Sequence, residues 1–289
     1  MQRSQRARVF IERDIEQLYR RHPLSKKSIL RRSGRQKSRK TSLTEPDLAI
    51  DSVTEITDQN HVGGVSFVKT LARRAGVSPD SRVLDLGAGL GGSARYLAHR
   101  FGCHVHGIEL SRQRYREAVC LTRCVGLQDL VSFERGDMSK LRLGKNAYYD
   151  VLWGQSSWVH IRAKDHFLRR WMKTLRVGGR IAFEEAYIRR IPRSKSIAAK
   201  LSELQELWKS YLVPLRVWTK ILVRLSVAVS SVEDTSGALR RLYSRMLRID
   251  RQPGAPVFPD SERRAWVLAV ELERAGILGY FRIVGEKRK

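Results

Sequence analysis

A run of apolar residues that leads into a cluster of glycines restricts the fold of this chain more than any other feature. The run, Val83-Leu84-Asp85-Leu86, has the length and composition of a buried strand. Gly87, Gly89, Gly91 and Gly92 follow it, and helix-forming residues then continue to Phe101. A strand, a glycine-rich turn and a helix in this order form the ligand-binding corner of an open parallel sheet. We therefore expect a ligand at this corner, close to the backbone of the glycines.

Strand and helix signals alternate along most of the chain. Between residues 65 and 190 the predicted helices lie at 65–75, 92–101 and 113–125, with a further helical spacing at Leu168, Trp171 and Leu175. The predicted strands lie at 82–86, 105–108, 131–134, 149–153 and 181–184, the last after a turn at Gly178-Gly179. Later residues predict helices at 196–211, 238–248 and 262–275 and strands at 226–232 and 280–285. This alternation predicts an α/β fold with a doubly wound, mostly parallel sheet of seven strands.

Three acidic residues stand where an adenosine derivative would need them. Asp85 precedes the first glycine by two residues, and a carboxylate there suits an ammonium-bearing ligand better than a pyrophosphate. Glu109 ends the second predicted strand, where it can accept hydrogen bonds from both hydroxyls of a ribose. Asp137 follows the third strand and could accept from an adenine amino group, with Met138 packed on the ring.

These motifs resemble those of the class I S-adenosylmethionine-dependent methyltransferases. The resemblance covers about residues 51–190, and Leu175–Arg180 matches the family's turn before the fifth strand, with Val177 where proline is more usual. It implies S-adenosyl-L-methionine as the cofactor and a Rossmann-like methyltransferase sheet with a helical lid insertion. The implied cofactor-binding residues are Asp85, Gly87, Gly89, Gly91, Glu109, Leu110, Asp137, Met138, Gln155 and Gln59.

Three further segments are similar to one branch of that family, the branch that contains sarcosine/dimethylglycine, phosphoethanolamine and tocopherol methyltransferases. They are Thr57–Gly64, Trp153–His160 and Ser226–Thr235. Ser156 departs from the branch, in which an acidic residue commonly follows the glutamine. Because that position faces the substrate, the resemblance does not extend to glycine derivatives as the acceptor.

Two histidines are the candidate catalytic residues. His160 lies beyond the fourth predicted strand, near the expected place of the acceptor, and could remove a proton from it. His61 lies on the segment that would close over the cofactor. A capping or structural role is the alternative for each of them. We expect no metal site, since His104 and His106 alternate along a strand without further ligands nearby.

The chain is strongly basic, with a net charge of +27 over 289 residues. Residues 8–21 could form a helix, and Lys26–Lys40 holds eight basic residues and no acidic one, which predicts a mobile basic segment. We divide the chain into a basic arm and helix (1–50), a cofactor-binding core (51–190) and a lid with closing strands (191–289). No apolar segment predicts a signal peptide or a transmembrane helix, and three cysteines predict a reduced, cytoplasmic protein.

The predicted function is transfer of a methyl group from S-adenosylmethionine to a nitrogen, oxygen or carbon atom of a small molecule. The basic arm leaves an alternative, methylation of RNA. It could also give weak binding to nucleic acid or to an anionic membrane surface.

Overall fold

The computed structural model describes residues 10–20, 25–36, 43–49, 57–144, 146–253, 255 and 257–289. Seven strands of this part form one sheet in the order β3-β2-β1-β4-β5-β7-β6. They are β1 Arg82–Leu86, β2 His104–Glu109, β3 Val131–Arg135, β4 Tyr149–Gln155, β5 Leu175–Ile188, β6 Val227–Asp234 and β7 Leu278–Lys287. Only β7 runs antiparallel to its neighbours β5 and β6. The predicted doubly wound, mostly parallel sheet is therefore confirmed.

Eleven helices of the described chain surround the sheet. They are α1 Glu12–Arg20, α2 Lys26–Gln36, α3 Glu45–Ala49, α4 Gly64–Arg74, α5 Gly92–Phe101, α6 Arg112–Cys124, α7 Lys164–Trp171, α8 Lys195–Trp208, α9 Leu215–Arg224, α10 Ser236–Ile249 and α11 Asp260–Arg274. Local chemistry sets several of their ends. The Ser111 side chain caps α6 by accepting from the backbone N–H of Arg114, and Gly102 ends α5 with a left-handed φ of 71°. No described helix is both long and apolar enough to cross a membrane.

The sheet is buried on both faces, as parallel sheets usually are. On one face Leu84 and Leu86 of β1 pack into a cluster with the aromatic side chains of Trp158, Phe183, Trp218 and Phe281. On the other face Val83 packs against α4 and α5 with Trp153 and Ala182. A third cluster joins α8, α10 and α11 to β7 beyond the sheet's edge. The core thus fixes the carboxyl ends of β1, β2 and β4, where the site lies.

The structure differs from the sequence prediction in three places. Lys26–Gln36 forms helix α2 instead of a mobile segment, because Ile29 is fully buried in a small apolar cluster with Leu48 and Leu121. Residues 37–40 of that segment, residues 8, 9 and 21 of the predicted first helix, and residues 51–56 and 145 of the predicted core lie outside the described residues. Leu175 begins β5 and does not extend α7. Helix α9 was not predicted at all, although its buried Trp218, Ile221 and Leu222 have helical spacing.

Candidate active site

The glycine-rich turn after β1 forms the floor of a cleft. Gly87, Gly89 and Gly91 adopt φ values of 90°, 58° and 77°, which other residues rarely adopt. A Cβ at Gly87 would lie 2.4 Å from the Cβ of Ser157, in the loop after β4. The glycines therefore allow two loops at the carboxyl edge of the sheet to approach each other, and Gly91 allows α5 to begin directly after the turn.

Asp85 and Glu109 stand at the ends of neighbouring strands. Asp85 is 3% exposed and its Oδ2 atom has no hydrogen-bond partner among the described residues. Burial, with the Glu109 carboxylate as a smaller cause, raises the pKa of Asp85 to about 7. Glu109 accepts hydrogen bonds from the backbone N–H groups of Gly89 and Ser111, each at 2.8 Å. Burial raises its pKa, while these donors and Arg114 lower it.

Asp137 and Met138 form the opposite wall of the cleft, after β3. Asp137 accepts from the backbone N–H of Ser139 at 2.8 Å, and this bond fixes the turn. The indole N–H of Trp171 donates to the carbonyl oxygen of Met138 at 2.8 Å, which ties the same turn to α7. The carboxylate and the thioether are thus held by backbone contacts on the side of the cleft where the sequence placed an adenine.

The cleft brings together most of the residues that the sequence selected. Its lining includes Asp85, Gly87, Gly89, Glu109, Leu110, Asp137, Met138, Gln155, His61 and His160. Gly91 and Gln59 do not line it. Gly91 lies below the floor, where a Cβ would meet the Phe133 ring at 2.5 Å. Gln59 lines a larger neighbouring cavity instead.

That second cavity has a volume of about 1190 Å³ and lies between α4, α10 and α11. Aromatic and apolar side chains such as Phe67, Trp208, Tyr243 and Trp266 line it together with several arginines of α10. Five residues line both the cavity and the cleft: Tyr19, Asn60, His61, Ser156 and His160. The two spaces therefore meet at the two predicted histidines.

His160 is held as a neutral ring in one tautomer. Its Nδ1 lies 2.9 Å from the carbonyl oxygen of Lys209, so Nδ1 carries the proton and donates it. Its Nε2 is then an acceptor, and the hydroxyl of Tyr19 donates to it at 2.9 Å. Burial lowers the pKa of His160 to about 4. The ring is therefore unprotonated near neutral pH and presents Nε2 to the junction of cleft and cavity.

His61 has a different set of contacts. Its Nδ1 lies 3.1 Å from the carbonyl oxygen of Val62, and its Nε2 lies 3.1 Å from Oε1 of Gln59 and 3.2 Å from Oγ of Ser93. Burial lowers the pKa of His61 to about 4, so the ring has one N–H to share among these partners. His61 thus ties the segment of residues 57–64 to Ser93 of α5, which suits it to hold that segment over the cleft.

A buried carboxylate fixes the loop that carries His160. Glu185 of β5 accepts from the backbone N–H groups of Ser157, Trp158 and Val159 at 3.0, 2.6 and 3.3 Å. The ammonium group of Lys164 donates to the carbonyl oxygens of Trp158 and Ile161. Burial raises the pKa of Glu185 and lowers that of Lys164. The turn of residues 158–160 is thereby held from both sides.

Sequence reasoning missed three residues of the site: Tyr19, Arg114 and Glu185. Tyr19 and its neighbour Ile15 reach the cleft from α1, far away in sequence. Arg114 lines the cleft from the first turn of α6, where its distance of five residues from Glu109 was a usable signal. Glu185 had a weaker signal, since it is a charged residue in an otherwise apolar strand.

S-adenosylmethionine fits the chemistry of the described residues. The unpaired Oδ2 of Asp85 offers a buried acceptor to an ammonium group. Glu109 and Asp137 also line the cleft and offer carboxylate acceptors of the kind that ribose hydroxyls and an adenine amino group require. The glycine turn leaves the floor without side chains. In the described part of the chain, no three His, Cys, Asp or Glu side chains are grouped to hold a metal ion.

Comparison with known proteins gives the same result. Residues 83–179 match a family model described as a methyltransferase domain. Residues 83–179 therefore form a methyltransferase domain. Over 189 residues it is 34% identical to a glycine/sarcosine/dimethylglycine N-methyltransferase of Actinopolyspora halophila, an alignment that covers 63% of this chain and 32% of the relative. It is also 33% identical over 123 residues to phosphoethanolamine N-methyltransferase 1 of Arabidopsis thaliana, with 43% of this chain and 24% of the relative covered.

Solved structures share the fold of this methyltransferase domain. A geranyl diphosphate C-methyltransferase of Streptomyces coelicolor has a TM-score of 0.70 at 16% identity, with 96% of this chain and 97% of that chain covered. At such low identity the similarity shows the fold alone. The chain spans less than half the length of the curated relatives it matches, so its own activity requires a separate argument.

Proposed function

We propose that the chain transfers the methyl group of S-adenosylmethionine to a small molecule held in the cavity of about 1190 Å³. One observation carries the proposal. The cleft with the candidate cofactor-binding residues and the cavity share His160 and Tyr19 in their linings, which is the arrangement that transfer from a bound cofactor to a bound acceptor needs. The names of the curated relatives, which include methyltransferases of sarcosine and phosphoethanolamine, support a small acceptor.

In this proposal Asp85 and Glu109 bind and orient the cofactor. When bound, S-adenosylmethionine supplies a methyl group already activated by its sulfonium. The buried Asp85 carboxylate holds the ammonium group at one end of the cleft, and Glu109 holds the ribose hydroxyls. Alignment of donor and acceptor of this kind is worth about 7–11 kcal/mol of the barrier. Helices α8, α10 and α11 within residues 191–289 contribute to the lining of the cavity.

His160 moves the proton. Nε2 is unprotonated and lies at the junction, so it can accept a proton from a hydroxyl, an ammonium or an activated carbon of the acceptor, either directly or through the hydroxyl of Tyr19. The proton then resides on Nε2, and the carbonyl oxygen of Lys209 stabilises the cationic ring through Nδ1–H. His61 and Gln59 position the covering segment. Gln155 lines the cleft, where its amide N–H donates to Glu184 at 2.7 Å.

The test uses S-adenosylmethionine with an isotopically labelled methyl group, the purified protein and a cell extract. The extract is separated afterwards into small-molecule, lipid, RNA and protein fractions. We expect label in the small-molecule or lipid fraction, and none with Asp85→Asn as the matched control. Label in RNA would support the alternative acceptor class, and the absence of label from every fraction would contradict the proposal.

The remaining basic surface supports a second, weaker property. Arg20, Lys26, Arg112 and Arg116 line a groove between α1, α2 and α6 together with a single acidic residue, Glu117. We propose that this groove gives weak attraction to nucleic acid or an anionic membrane surface in a cytoplasmic setting. Binding of vesicles or RNA that persists unchanged in Arg112→Glu and Arg116→Glu variants, or at high salt, would exclude it.

A further inference from the structure

Arg114 is buried without a hydrogen-bond partner for its charged group. It is 3% exposed, and none of its three guanidinium nitrogens donates to a residue that the structure describes. A buried guanidinium that lacks acceptors is costly to keep in a fold. Only the backbone N–H of Arg114 is used, as donor to the Ser111 cap of α6. The charge of Arg114 acts on the Glu109 and Glu262 carboxyls, but no described residue accepts a hydrogen bond from the guanidinium.

The guanidinium lies on one side of the cleft. Arg114 lines the cleft with Gly89 and Glu109, and its Nη1 would lie 3.9 Å from a Cβ placed on Gly89. Its charge lowers the pKa of Glu109, which accepts from the backbone N–H of Gly89. Arg114 thus stands beside Gly89 and Glu109.

A second residue covers the guanidinium from outside. The ring of Tyr19 in α1 lies over it, with 4.5 Å between the guanidinium carbon and the ring centroid. The same tyrosine donates to His160. One side of the guanidinium is therefore closed by α1, and its N–H groups are left to face the cleft.

We propose that Arg114 is a cofactor-binding residue whose guanidinium donates hydrogen bonds to the adenosyl half of S-adenosylmethionine. The inference rests on the proposed function. The adenosyl half offers ring and hydroxyl oxygens and ring nitrogens as acceptors and carries no positive charge. The amino-acid half bears a carboxylate, but it also bears an ammonium beside that carboxylate and a sulfonium. Arg114 stands next to Glu109, the residue assigned to the ribose, which favours the adenosyl half.

Binding measurements test this without turnover. Isothermal titration compares the wild type with Arg114→Met for two ligands, S-adenosylhomocysteine and methylthioadenosine, which lacks the amino-acid group. Loss of hydrogen bonds from a charged donor weakens binding by about ten- to a hundredfold, and we expect this loss for both ligands. Asp85→Asn is the matched control. It should weaken the affinity for S-adenosylhomocysteine and leave the affinity for methylthioadenosine within about threefold of the wild-type value.

The melting temperature without ligand separates binding from a structural role. Arg114→Met should melt at the same or a higher temperature, since methionine fills the space without an unpaired charge. Tyr19→Phe keeps the ring over the guanidinium and should leave the affinity for S-adenosylhomocysteine within about twofold, whereas Tyr19→Ala should weaken it by about fivefold or more.

Two outcomes would overturn the inference. The first is an unchanged affinity in Arg114→Met, whether or not its melting temperature is lowered. The second is a loss of affinity confined to S-adenosylhomocysteine, which would place the guanidinium at the amino-acid end. If the wild type itself binds neither ligand, the proposed function fails with it, and the wild-type titration distinguishes that case.

Discussion

The hydroxyl of Tyr19 lies 2.9 Å from Nε2 of His160, although 141 residues separate the two in the chain. Tyr19 belongs to α1, and His160 ends the turn after β4. The contact places α1 across the junction between the cofactor cleft and the acceptor cavity, and further contacts hold it there. Arg135 of β3 lies 3.8 Å from Glu12 and 3.9 Å from Glu16. Helix α1 thus covers the place where methyl transfer would occur.

Replacing His160 tests its role as the base. In His160→Gln the side chain cannot accept the proton, so we expect kcat to fall by about 10²- to 10⁴-fold. The affinity for S-adenosylhomocysteine should stay within about threefold, since the cofactor's own polar partners remain. The measurement is the initial rate at which label enters the extract fraction that the wild-type protein labels. Equal losses of rate and of cofactor affinity would instead indicate a structural histidine.

Cofactor affinity should depend on pH through Asp85. In the free protein this carboxyl is protonated below about 7, where it cannot pair with an ammonium group. Affinity for S-adenosylhomocysteine should therefore weaken as the pH falls below 7, by up to about tenfold per pH unit. Titrations between pH 5.5 and pH 8 measure this pH dependence of the affinity. If Asp85→Asn shows the same pH dependence, another group causes it.

The same carboxyl should affect stability in the opposite sense. Its folded pKa of about 7 lies above the ordinary value of 3.8, so its contribution to stability is complete below pH 3.8 and is lost as the pH rises through 7. Asp85→Asn removes that loss and should stabilise the unliganded protein at pH 8, by up to about 4 kcal/mol. Urea unfolding at pH 8 and at pH 4 measures the difference, which should vanish at the lower pH. A stabilisation of equal size at both pH values would contradict the assigned cause.

Glu185 should be essential to the fold of the His160 loop. Glu185→Ala leaves three buried backbone N–H groups without an acceptor, and we expect it to lower the free energy of unfolding by about 3–5 kcal/mol. Glu185→Gln retains one acceptor oxygen and should lose less. Glu203→Ala is the control, because the partner of Glu203 is Arg264 on the exposed surface. A similar urea midpoint for the two alanine variants would show that the loop does not depend on Glu185.

The sheet and the floor of the cleft could be predicted because their signals are local. Strands β1 and β2 carry their acidic residues at their own ends, and the glycines follow directly in sequence. The parallel order then brings those ends together. The prediction for the lining of the cleft is accordingly accurate at Asp85, Glu109 and Asp137. Their roles as cofactor ligands stay predictions until binding is measured.

The parts that could not be predicted depend on contacts between distant segments. Tyr19 reaches the site only because α1 packs across the sheet edge, and nothing near residue 19 indicates that position. Helix α2 was mistaken for a mobile segment because its many charges outweigh one buried residue, Ile29. The distance of Arg114 from Glu109 is a weak signal in a chain with many arginines, and its burial is what distinguishes it from a surface arginine.

Gly87 should tolerate no side chain. In Gly87→Ala the new Cβ would lie 2.4 Å from the Cβ of Ser157 at a φ of 90°, so the strained backbone and the overpacking together should cost about 2–5 kcal/mol. The loop of Ser157 must also shift, and it carries the cleft wall, so affinity for S-adenosylhomocysteine should fall by more than about tenfold. Gly144→Ala is the matched control, since no described atom lies within 4 Å of its added Cβ. Urea unfolding and titration of both variants measure these effects. Should Gly87→Ala bind as tightly as Gly144→Ala, the cofactor cannot lie against this turn.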